Sequence, residues 1–431
     1  MTRSTLVILP ADAADRVRAS GGVWGGLRMA RLPDDDVYVV TKYRGGREGA
    51  FFPVQPAAGQ SRLRQVGDDT YLATWHRAPA SVHWHHWRLA ARPGFVVPID
   101  DFRSLIPTVR HPHDGRELVI THAPSVADIP EPHPLPEFAA WDVTREGAAP
   151  FDLAVEPRAY GLGQLIGHWP LETLQTRAVL VVGVGSIGGA VADSLAGYGL
   201  GRLDLLDPDR LLWHNTVRHV LGDGEVGRFK TDALKDMLKA RWPELDVRSH
   251  VKNVVRDAAE VRPLLKEVDA VVCAADGIAS RRVVSHLARR AGRDAVLTSV
   301  LEDGAFGEVL RLRRAPDEGC LLCRRAPLYG SGGMDPERAL ERGYGDGDPH
   351  RPMTAVGPDL RLMGSLAAKV TIASVLQRHG YNEQRLPGEQ AIIALRPQPG
   401  FQAPFDLRRA GEVRWHPATP PLPGCVTCSQ P

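Results

Sequence analysis

The sequence is poor in cysteine, in net charge and in long apolar runs, and each scarcity argues against a class of protein. Only 5 of its 431 residues are cysteines, too few for a disulfide-stapled secreted scaffold, so we expect a reducing compartment. A net charge of +2 gives no electrostatic reason to bind nucleic acid or a membrane surface. No segment approaches the roughly 20 apolar residues that span a bilayer, and the first residues lack a secretory signal pattern. We therefore expect a cytoplasmic protein of two to three domains.

Residues 1–150 differ in composition from the rest of the chain. Half of the 16 histidines lie between His76 and His133, and prolines cluster at residues 124–136. Strand-like segments surround a helix predicted at Ala11–Ala19. We expect a smaller α+β domain that recruits a substrate or partner, with linkers at residues 124–136 and 147–157.

Histidine and tryptophan alternate between Trp75 and Trp87, but carboxylates at ligand spacing are missing. We interpret these side chains as partner-binding or half-buried strand residues rather than metal ligands. The segment from His122 to Asp128 resembles the His-x-Pro…Ser-x-x-Asp signature of JAMM-type deubiquitinating metalloproteases. It lacks the close His-x-His pair and the upstream Glu, so we interpret the domain as an inactive relative or an unrelated recruiting domain.

From residue 155 to residue 431, short apolar strands alternate with amphipathic helices. This alternation predicts an α/β fold with a Rossmann-like, doubly wound and mostly parallel sheet. The predicted strands are Ala178–Val182, Arg202–Leu206, Leu245–His250, Asp269–Ala274 and Ala295–Val300. The predicted helices are Ser186–Leu200, Arg228–Trp242, Ala258–Glu267 and Ala279–Arg290. An antiparallel extension is predicted at Phe306–Arg313, followed by a helix at Leu362–Gln377 and a strand at Ala391–Leu395.

A glycine-rich turn follows the first of these strands. Gly183 permits the tight turn, Gly185 lets the backbone approach phosphate, and Gly188 allows the helix to pack closely on the strand. The phosphates are expected at the helix N-terminus. Asp207, at the end of the second strand, is placed to bind ribose hydroxyls. This pattern alone is equally typical of a nicotinamide-dependent oxidoreductase.

Two cations and a carboxylate favour phosphate chemistry instead. Arg218 and Lys230 follow the second strand, and together they suit cleavage of an α–β phosphate bond, although either could be an ordinary surface cation. Asp276 closes the fourth strand, where it could hold Mg²⁺ or cap the next helix. Hydride transfer has no need for this set.

Four of the five cysteines form two C-x-x-C pairs, Cys320/Cys323 and Cys425/Cys428. Four thiolates in two short loops suit a tetrahedral structural zinc ion and leave no open position for catalysis. Such an ion would tie the C-terminal segment back to the body of the domain.

These motifs, in this order, resemble the ubiquitin-activating-enzyme superfamily, and within it the ThiF/MoeB/MccB-type adenylyltransferases. The resemblance covers roughly residues 155–431. It implies a nucleotidyltransferase that uses ATP and Mg²⁺ to convert the C-terminal carboxylate of a ubiquitin-like protein or peptide into an acyl-adenylate. It also implies a homodimer in a bacterial-type ubiquitin-like conjugation or sulfur-transfer pathway, with a downstream conjugating or sulfur-carrier protein. The implied nucleotide ligands are Gly183, Gly185, Gly188, Asp207, Asp209, Asn215, Arg218 and Lys230, with Asp276 for Mg²⁺ and the cysteines for zinc.

The chain departs from this family in three places. Gly163 stands where the family often has an arginine that reaches into the partner subunit, and Arg158 is a poor substitute. Only the Asn and Arg of the usual Ser-Asn-Leu-x-Arg-Gln segment survive, so His219 replaces its Gln. Residues 324–424 contain no cysteine for a thioester, and Cys273 lies in an apolar strand. The alternatives are therefore a non-catalytic scaffold that binds a ubiquitin-like partner, or an NAD-dependent oxidoreductase.

Overall fold

The chain divides into two compact units, Met1–Tyr160 and Gly161–Pro431. The computed structural model describes residues 6–32, 36–54, 71–92, 94–112, 115–130, 133–156, 161–301, 303–314, 317–330 and 355–428. The division falls later than the expected boundary at residues 150–155, because residues 147–155 form a strand of the first unit instead of a linker. None of the described helices has the length and apolar character needed to cross a bilayer.

The first unit is built on one sheet that closes on itself. In chain order its elements are β1 (Leu6–Leu9), α1 (Ala11–Ala19), β2 (Trp24–Arg31), β3 (Val37–Arg44), β4 (Phe52–Pro53), β5 (Tyr71–Arg77), α2 (Ala80–Ala90), β6 (Val97–Pro98), α3 (Ile99–Leu105), β7 (Glu117–His122), β8 (Phe138–Val143) and β9 (Gly147–Val155). The strands pair in the order β1-β3-β2-β5-β7-β8-β9, and β9 pairs again with β1, in parallel. Closure of this kind removes exposed strand edges.

Two cores lie on the two faces of this sheet. Trp75 and Ile120 pack with α1 on one face, whereas Val119 and Trp141 pack under α2 and α3 on the other. The predicted linker at residues 124–136 instead connects β7 to β8 inside the unit. The interpretation of the tryptophan-histidine segment as strand is right only for its start on β5, because the rest of it forms α2.

The second unit is an α/β sandwich. Its elements are α4 (Leu171–Leu174), β10 (Ala178–Val182), α5 (Ser186–Gly197), β11 (Arg202–Leu206), α6 (Trp213–Thr216), α7 (Lys230–Arg241), β12 (Asp246–His250), α8 (Ala258–Lys266), β13 (Ala270–Cys273), α9 (Ile278–Ala291), β14 (Asp294–Leu301), β15 (Phe306–Leu312), α10 (Leu321–Gly330), α11 (Gly357–Arg378), β16 (Gln390–Ala394) and β17 (Val413–His416). The sheet order is β12-β11-β10-β13-β14-β15-β16-β17. The pairings from β12 to β14 are parallel, and those from β14 to β17 are antiparallel. The predicted Rossmann-like sheet with an antiparallel extension is confirmed.

Strand β10 shows why this sheet forms. All five of its residues are apolar and buried, and alternate side chains enter two separate cores: Val179 and Val181 on one face, Leu180 and Val182 on the other. Burial on both faces is typical of a central parallel strand, and each such side chain contributes roughly 1.5–3 kcal/mol. The carboxyl end of β10 is thereby fixed at the centre of the sheet, where the glycine turn begins.

Candidate nucleotide and zinc sites

The glycine turn between β10 and α5 is shaped by close backbone contacts. Gly183 has a φ of +80°, and a β-carbon there would lie 2.5 Å from the backbone nitrogen of Ala275. A β-carbon at Gly188 would lie 1.8 Å from the carbonyl oxygen of Gly183. Gly185 begins α5 as its N-cap, and a β-carbon there would meet nothing within 4 Å. The turn is therefore tight on its inner side and open in front of the helix N-terminus, where anions bind.

Two buried side chains hold the peptide groups of Val184 within this turn. The Asp207 carboxylate accepts a hydrogen bond from the Val184 N–H at 2.8 Å. His219 donates from Nε2 to the Val184 carbonyl oxygen at 2.8 Å, and its Nδ1 accepts from the Leu221 N–H at 3.1 Å. These partners fix the neutral Nε2–H tautomer, and burial lowers the pKa of His219 to about 4. No role was predicted for His219, although it directly follows Arg218.

Asp207 is engaged on both oxygens, since its other oxygen accepts the Asp209 N–H at 2.9 Å. Burial raises the pKa of the Asp207 carboxyl, and the nearby Lys230 opposes that shift. Lys230 opens α7 and pairs with Asp209 at 2.9 Å. The lysine side chain is 10% exposed and the Asp209 carboxylate 61% exposed. A phosphate arriving at Lys230 would therefore compete with a solvated carboxylate, which gives way at little cost.

The turn that carries Arg218 is held by Asn215. The side-chain oxygen of Asn215 accepts a hydrogen bond from the Leu212 N–H at 2.9 Å. The backbone carbonyl oxygen of Asn215 accepts a hydrogen bond from the Arg218 N–H at 3.0 Å. Gly189 on α5 faces this turn closely, because a β-carbon there would lie 3.3 Å from the His219 ring. Arg218 is therefore brought to the glycine turn through its neighbour His219.

Asp276 lies exposed at the carboxyl end of β13. The residue before it, Ala275, is the one that Gly183 contacts. The helix that follows begins at Ile278, and its N-cap is Gly277, which has a φ of +96° and no side-chain cap, so the alternative that Asp276 caps α9 is wrong. Asp276 makes no hydrogen bond or ion pair within the described part of the chain. An exposed carboxylate at this place could hold Mg²⁺, which is commonly bound by one or two carboxylates together with substrate phosphates.

The four cysteines of the C-x-x-C pairs converge. Sγ–Sγ distances are 3.9 Å for Cys320–Cys323, 3.5 Å for Cys320–Cys425 and 3.8 Å for Cys323–Cys428, and all four sulfurs lie within 4.8 Å of one another. A tetrahedral ion with Zn–S bonds of about 2.3 Å would place its sulfurs about 3.8 Å apart. The donor set therefore fits one structural zinc ion.

Further contacts hold the cysteine cluster in place. The Leu422 N–H donates to the Cys323 sulfur at 3.3 Å, and Arg289 of α9 donates to the Cys428 sulfur at 3.4 Å. Such bonds orient thiolate ligands. In α10, Arg325 pairs at 3.0 Å with Glu308 of β15, and both are buried. This cluster therefore joins α9, α10 and the C-terminal segment.

The histidines of the first unit do not form a metal site among the described residues, where the cysteine cluster is the only group with three or more clustered metal ligands. His122 contacts Arg77 through Nδ1 and Glu137 through Nε2, at 2.8 Å. His83 bonds to the Pro136 carbonyl at 2.7 Å and to the Thr121 hydroxyl at 2.9 Å. Both nitrogens of each ring are occupied by contacts to protein groups, so neither histidine offers a nitrogen to a metal.

Three further residues were considered from the sequence, and the structure describes two of them. Gly163 lies in a 3₁₀ turn at Gly161–Leu165, and Arg158 lies outside the described residues. Cys273 is fully buried on β13, as expected for an apolar residue without a reactive thiol.

Known protein families, curated proteins and solved structures show the following similarities to this chain. The sequence profile of the ThiF family matches residues 158–398. Ubiquitin-like modifier-activating enzyme 5 of Oryza sativa subsp. japonica is 27% identical over 253 residues, 56% of this chain and 59% of that protein. The molybdopterin-synthase adenylyltransferase of Escherichia coli K12 is 35% identical over 111 residues, 26% of this chain and 44% of that protein. A crystal structure of E. coli MccB with MccA-N7isoASN has a TM-score of 0.46 and 19% identity, covering 60% of this chain and 69% of that one. The chain thus spans about half the length of these two curated relatives.

Proposed function

The chain belongs to the ThiF family, and we propose that it adenylates the C-terminal carboxylate of a ubiquitin-like protein or peptide at the expense of ATP. One observation carries the proposal: the predicted nucleotide and Mg²⁺ ligands Asp207, Arg218 and Asp276 lie near the glycine turn. Asp207 bonds to Val184, Arg218 is adjacent to His219 on the same peptide, and Asp276 follows the residue that Gly183 contacts. The names of the two curated relatives, an activating enzyme and an adenylyltransferase, support this reaction class.

In the proposed reaction, a carboxylate oxygen of the substrate attacks the α-phosphorus of ATP. The bond from that phosphorus to the bridging oxygen breaks, and pyrophosphate leaves with the electron pair. The N–H groups at the start of α5, Arg218 and Lys230 would stabilise the charge that develops on the phosphoryl oxygens. Mg²⁺ at Asp276 would neutralise charge on the phosphates. The Asp207 carboxylate would orient the ribose with the lone pairs that its two backbone bonds leave available.

The remaining parts of the chain have supporting roles in this proposal. Zinc at the cysteine cluster is structural, since four thiolates leave no position for substrate. The first unit recruits the substrate or a downstream conjugating or sulfur-carrier protein, and the protein acts as a homodimer. The reaction ends at the acyl-adenylate or passes the acyl group directly to another protein, because the chain has no exposed cysteine outside the cluster in its described part.

The test is ATP–pyrophosphate exchange with Mg²⁺ in the presence of candidate ubiquitin-like proteins and peptides. Exchange should require both a candidate and Asp276, so D276A should lower the rate by at least tenfold, the loss expected when charge stabilisation of the transition state is removed. D246A is the matched control, because Asp246 is also exposed but begins β12 at the opposite end of the sheet. ATP binding without exchange for any candidate would favour the scaffold. Binding of NAD in place of ATP would favour the oxidoreductase.

A further inference from the structure

Helix α11 runs alongside α5 and extends beyond its N-terminus. A β-carbon at Gly364 would lie 2.6 Å from the Ala190 β-carbon and 2.7 Å from the Ile187 carbonyl oxygen, so the two helices meet backbone to backbone. One residue later, the Ser365 hydroxyl lies 3.3 Å from that of Ser194. Gly364 is thus level with the first turn of α5, which starts at Ser186, and the first turn of α11 extends beyond that start.

The N-terminal end of α11 contacts the turn that carries Arg218. A β-carbon at Gly357 would lie 3.3 Å from the Arg218 Cα, from the Val217 carbonyl oxygen and from Nη2 of Arg361. The Arg361 guanidinium is therefore beside the backbone of Arg218. Arg361 also precedes Gly364 by three residues, which places it about 4.5 Å closer to the helix N-terminus. Its closeness to Arg218 and its position one turn before Gly364 both place Arg361 beside the N-terminal end of α5.

Among the described residues, Arg361 has no counter-charge at this place. It is exposed, and within the described part of the chain it makes no hydrogen bond or ion pair. Its helix neighbour Asp359 is only partly buried and does not pair with it. An arginine next to another arginine, at the mouth of a glycine turn, presents the planar donor fork that phosphates bind best.

We infer that Arg361 binds the phosphates of ATP together with Arg218. The same chain thereby supplies an arginine to this site, whereas the position where the family often has its arginine is Gly163 here. This inference rests on the proposed function, since it assigns a further positioning residue to the same nucleotide site. The substrate carboxylate is the other anion at this site, and the test separates the two.

The experiment measures binding of ATP and of adenosine to the full chain in Mg²⁺ buffer, for wild type, R361A, R361K and R385A. Loss of one charge-assisted phosphate contact should weaken ATP binding by about tenfold in R361A. Adenosine binding should be unchanged, and R361K should recover part of the loss. R385A is the matched control, because Arg385 is also exposed but lies beyond the opposite end of α11. The thermal midpoint of each variant checks its folding.

Four results would overturn the inference. Equal ATP affinity in R361A and wild type would remove Arg361 from the phosphate site, while the proposed function would stand. Equal weakening of ATP and adenosine would show a change in local structure rather than a lost phosphate contact. If ATP affinity is unchanged and the ATP–pyrophosphate exchange assay gives R361A a raised KM for the acyl substrate, Arg361 belongs to the substrate carboxylate instead. If wild type binds no ATP, the proposed function fails, and this assignment fails with it.

Discussion

The buried imidazole of His219 allows a quantitative prediction about how pH affects the nucleotide-binding unit. His219 is 6% exposed and fixes the carbonyl of Val184 in the glycine turn. A proton on Nδ1 would destroy its hydrogen bond from the Leu221 N–H and would place a charge among Arg218 and Lys230. The folded state therefore excludes the proton that the unfolded state accepts.

The size of the effect follows from the pKa in each state. Burial lowers the pKa of His219 from 6.5 to about 4 in the folded chain. Because the unfolded state binds the proton more tightly, the free energy of unfolding falls as pH falls. The stabilisation is fully present above the unfolded value of 6.5 and is lost progressively as pH approaches 4. At 1.36 kcal/mol per pKa unit, the whole shift is worth about 3.4 kcal/mol, and about 2 kcal/mol of it is lost between pH 7.5 and pH 5.0.

The assay compares H219Q with wild type at these two pH values. The protein is equilibrated in urea at each pH and is then labelled with a short deuterium pulse at one common pH. Deuterium uptake in peptides covering β10 and α5 reports the unfolded fraction of this unit. Glutamine can donate and accept hydrogen bonds but does not titrate, so the free energy of unfolding of H219Q should fall by about 2 kcal/mol less than that of wild type. H168Q, which changes an exposed histidine of the same unit, should behave as wild type does. Equal pH dependence in H219Q and wild type would refute the buried neutral imidazole.

Two further predictions separate stability from binding and test the metal. G188A should lose at least 2 kcal/mol of its free energy of unfolding, because its β-carbon would overlap the carbonyl of Gly183. The free energy of unfolding of G185A should be within about 0.5 kcal/mol of the wild-type value. G185A should nevertheless bind ATP more weakly, since its β-carbon occupies the open space in front of α5. Differential scanning calorimetry with ATP titration distinguishes these outcomes, and a G188A protein as stable as wild type would contradict the geometry. C428S should reduce zinc, measured by plasma emission spectrometry, from one ion per chain to a small fraction, whereas C273S should retain it. Zinc retained in C428S would show that the cluster is not the binding site.

The second unit could be predicted from sequence because its signals are local. Apolar runs such as Ala178–Val182 are bounded by glycine and charge, and the structure keeps that strand with the same ends. Helix α11 is the main exception, since it begins at Gly357, five residues before the predicted start at Leu362. Glycine and proline in its first turn hid the beginning of the helix, although proline is well tolerated there.

The first unit was harder to predict because its architecture depends on distant pairings. β1 pairs in parallel with β9, so that Leu6 lies opposite Asp152, and no periodicity in either segment reports that partner. The helix α2 was mistaken for strand because its tryptophans have β propensity. In the structure, His83 and Val82 are buried on one side of α2 while Trp84 and Trp87 remain exposed. Tertiary burial of one helical face therefore outweighed local propensity.

The difference between local sequence signals and distant contacts also explains which site residues could be predicted from the sequence. Asp207 and Asp276 were identifiable because they end parallel strands, and strand ends converge at one edge whatever the details of the fold. His219 and Arg361 end no strand, and their positions depend on contacts with Val184 and Gly357 that only the folded chain defines. The tautomer of His219 and the proposed role of Arg361 both depend on geometry rather than on a sequence motif. If the R361A measurement supports its assignment, the absent arginine at Gly163 does not argue for a scaffold, because a cation from a different element then occupies the same phosphate site.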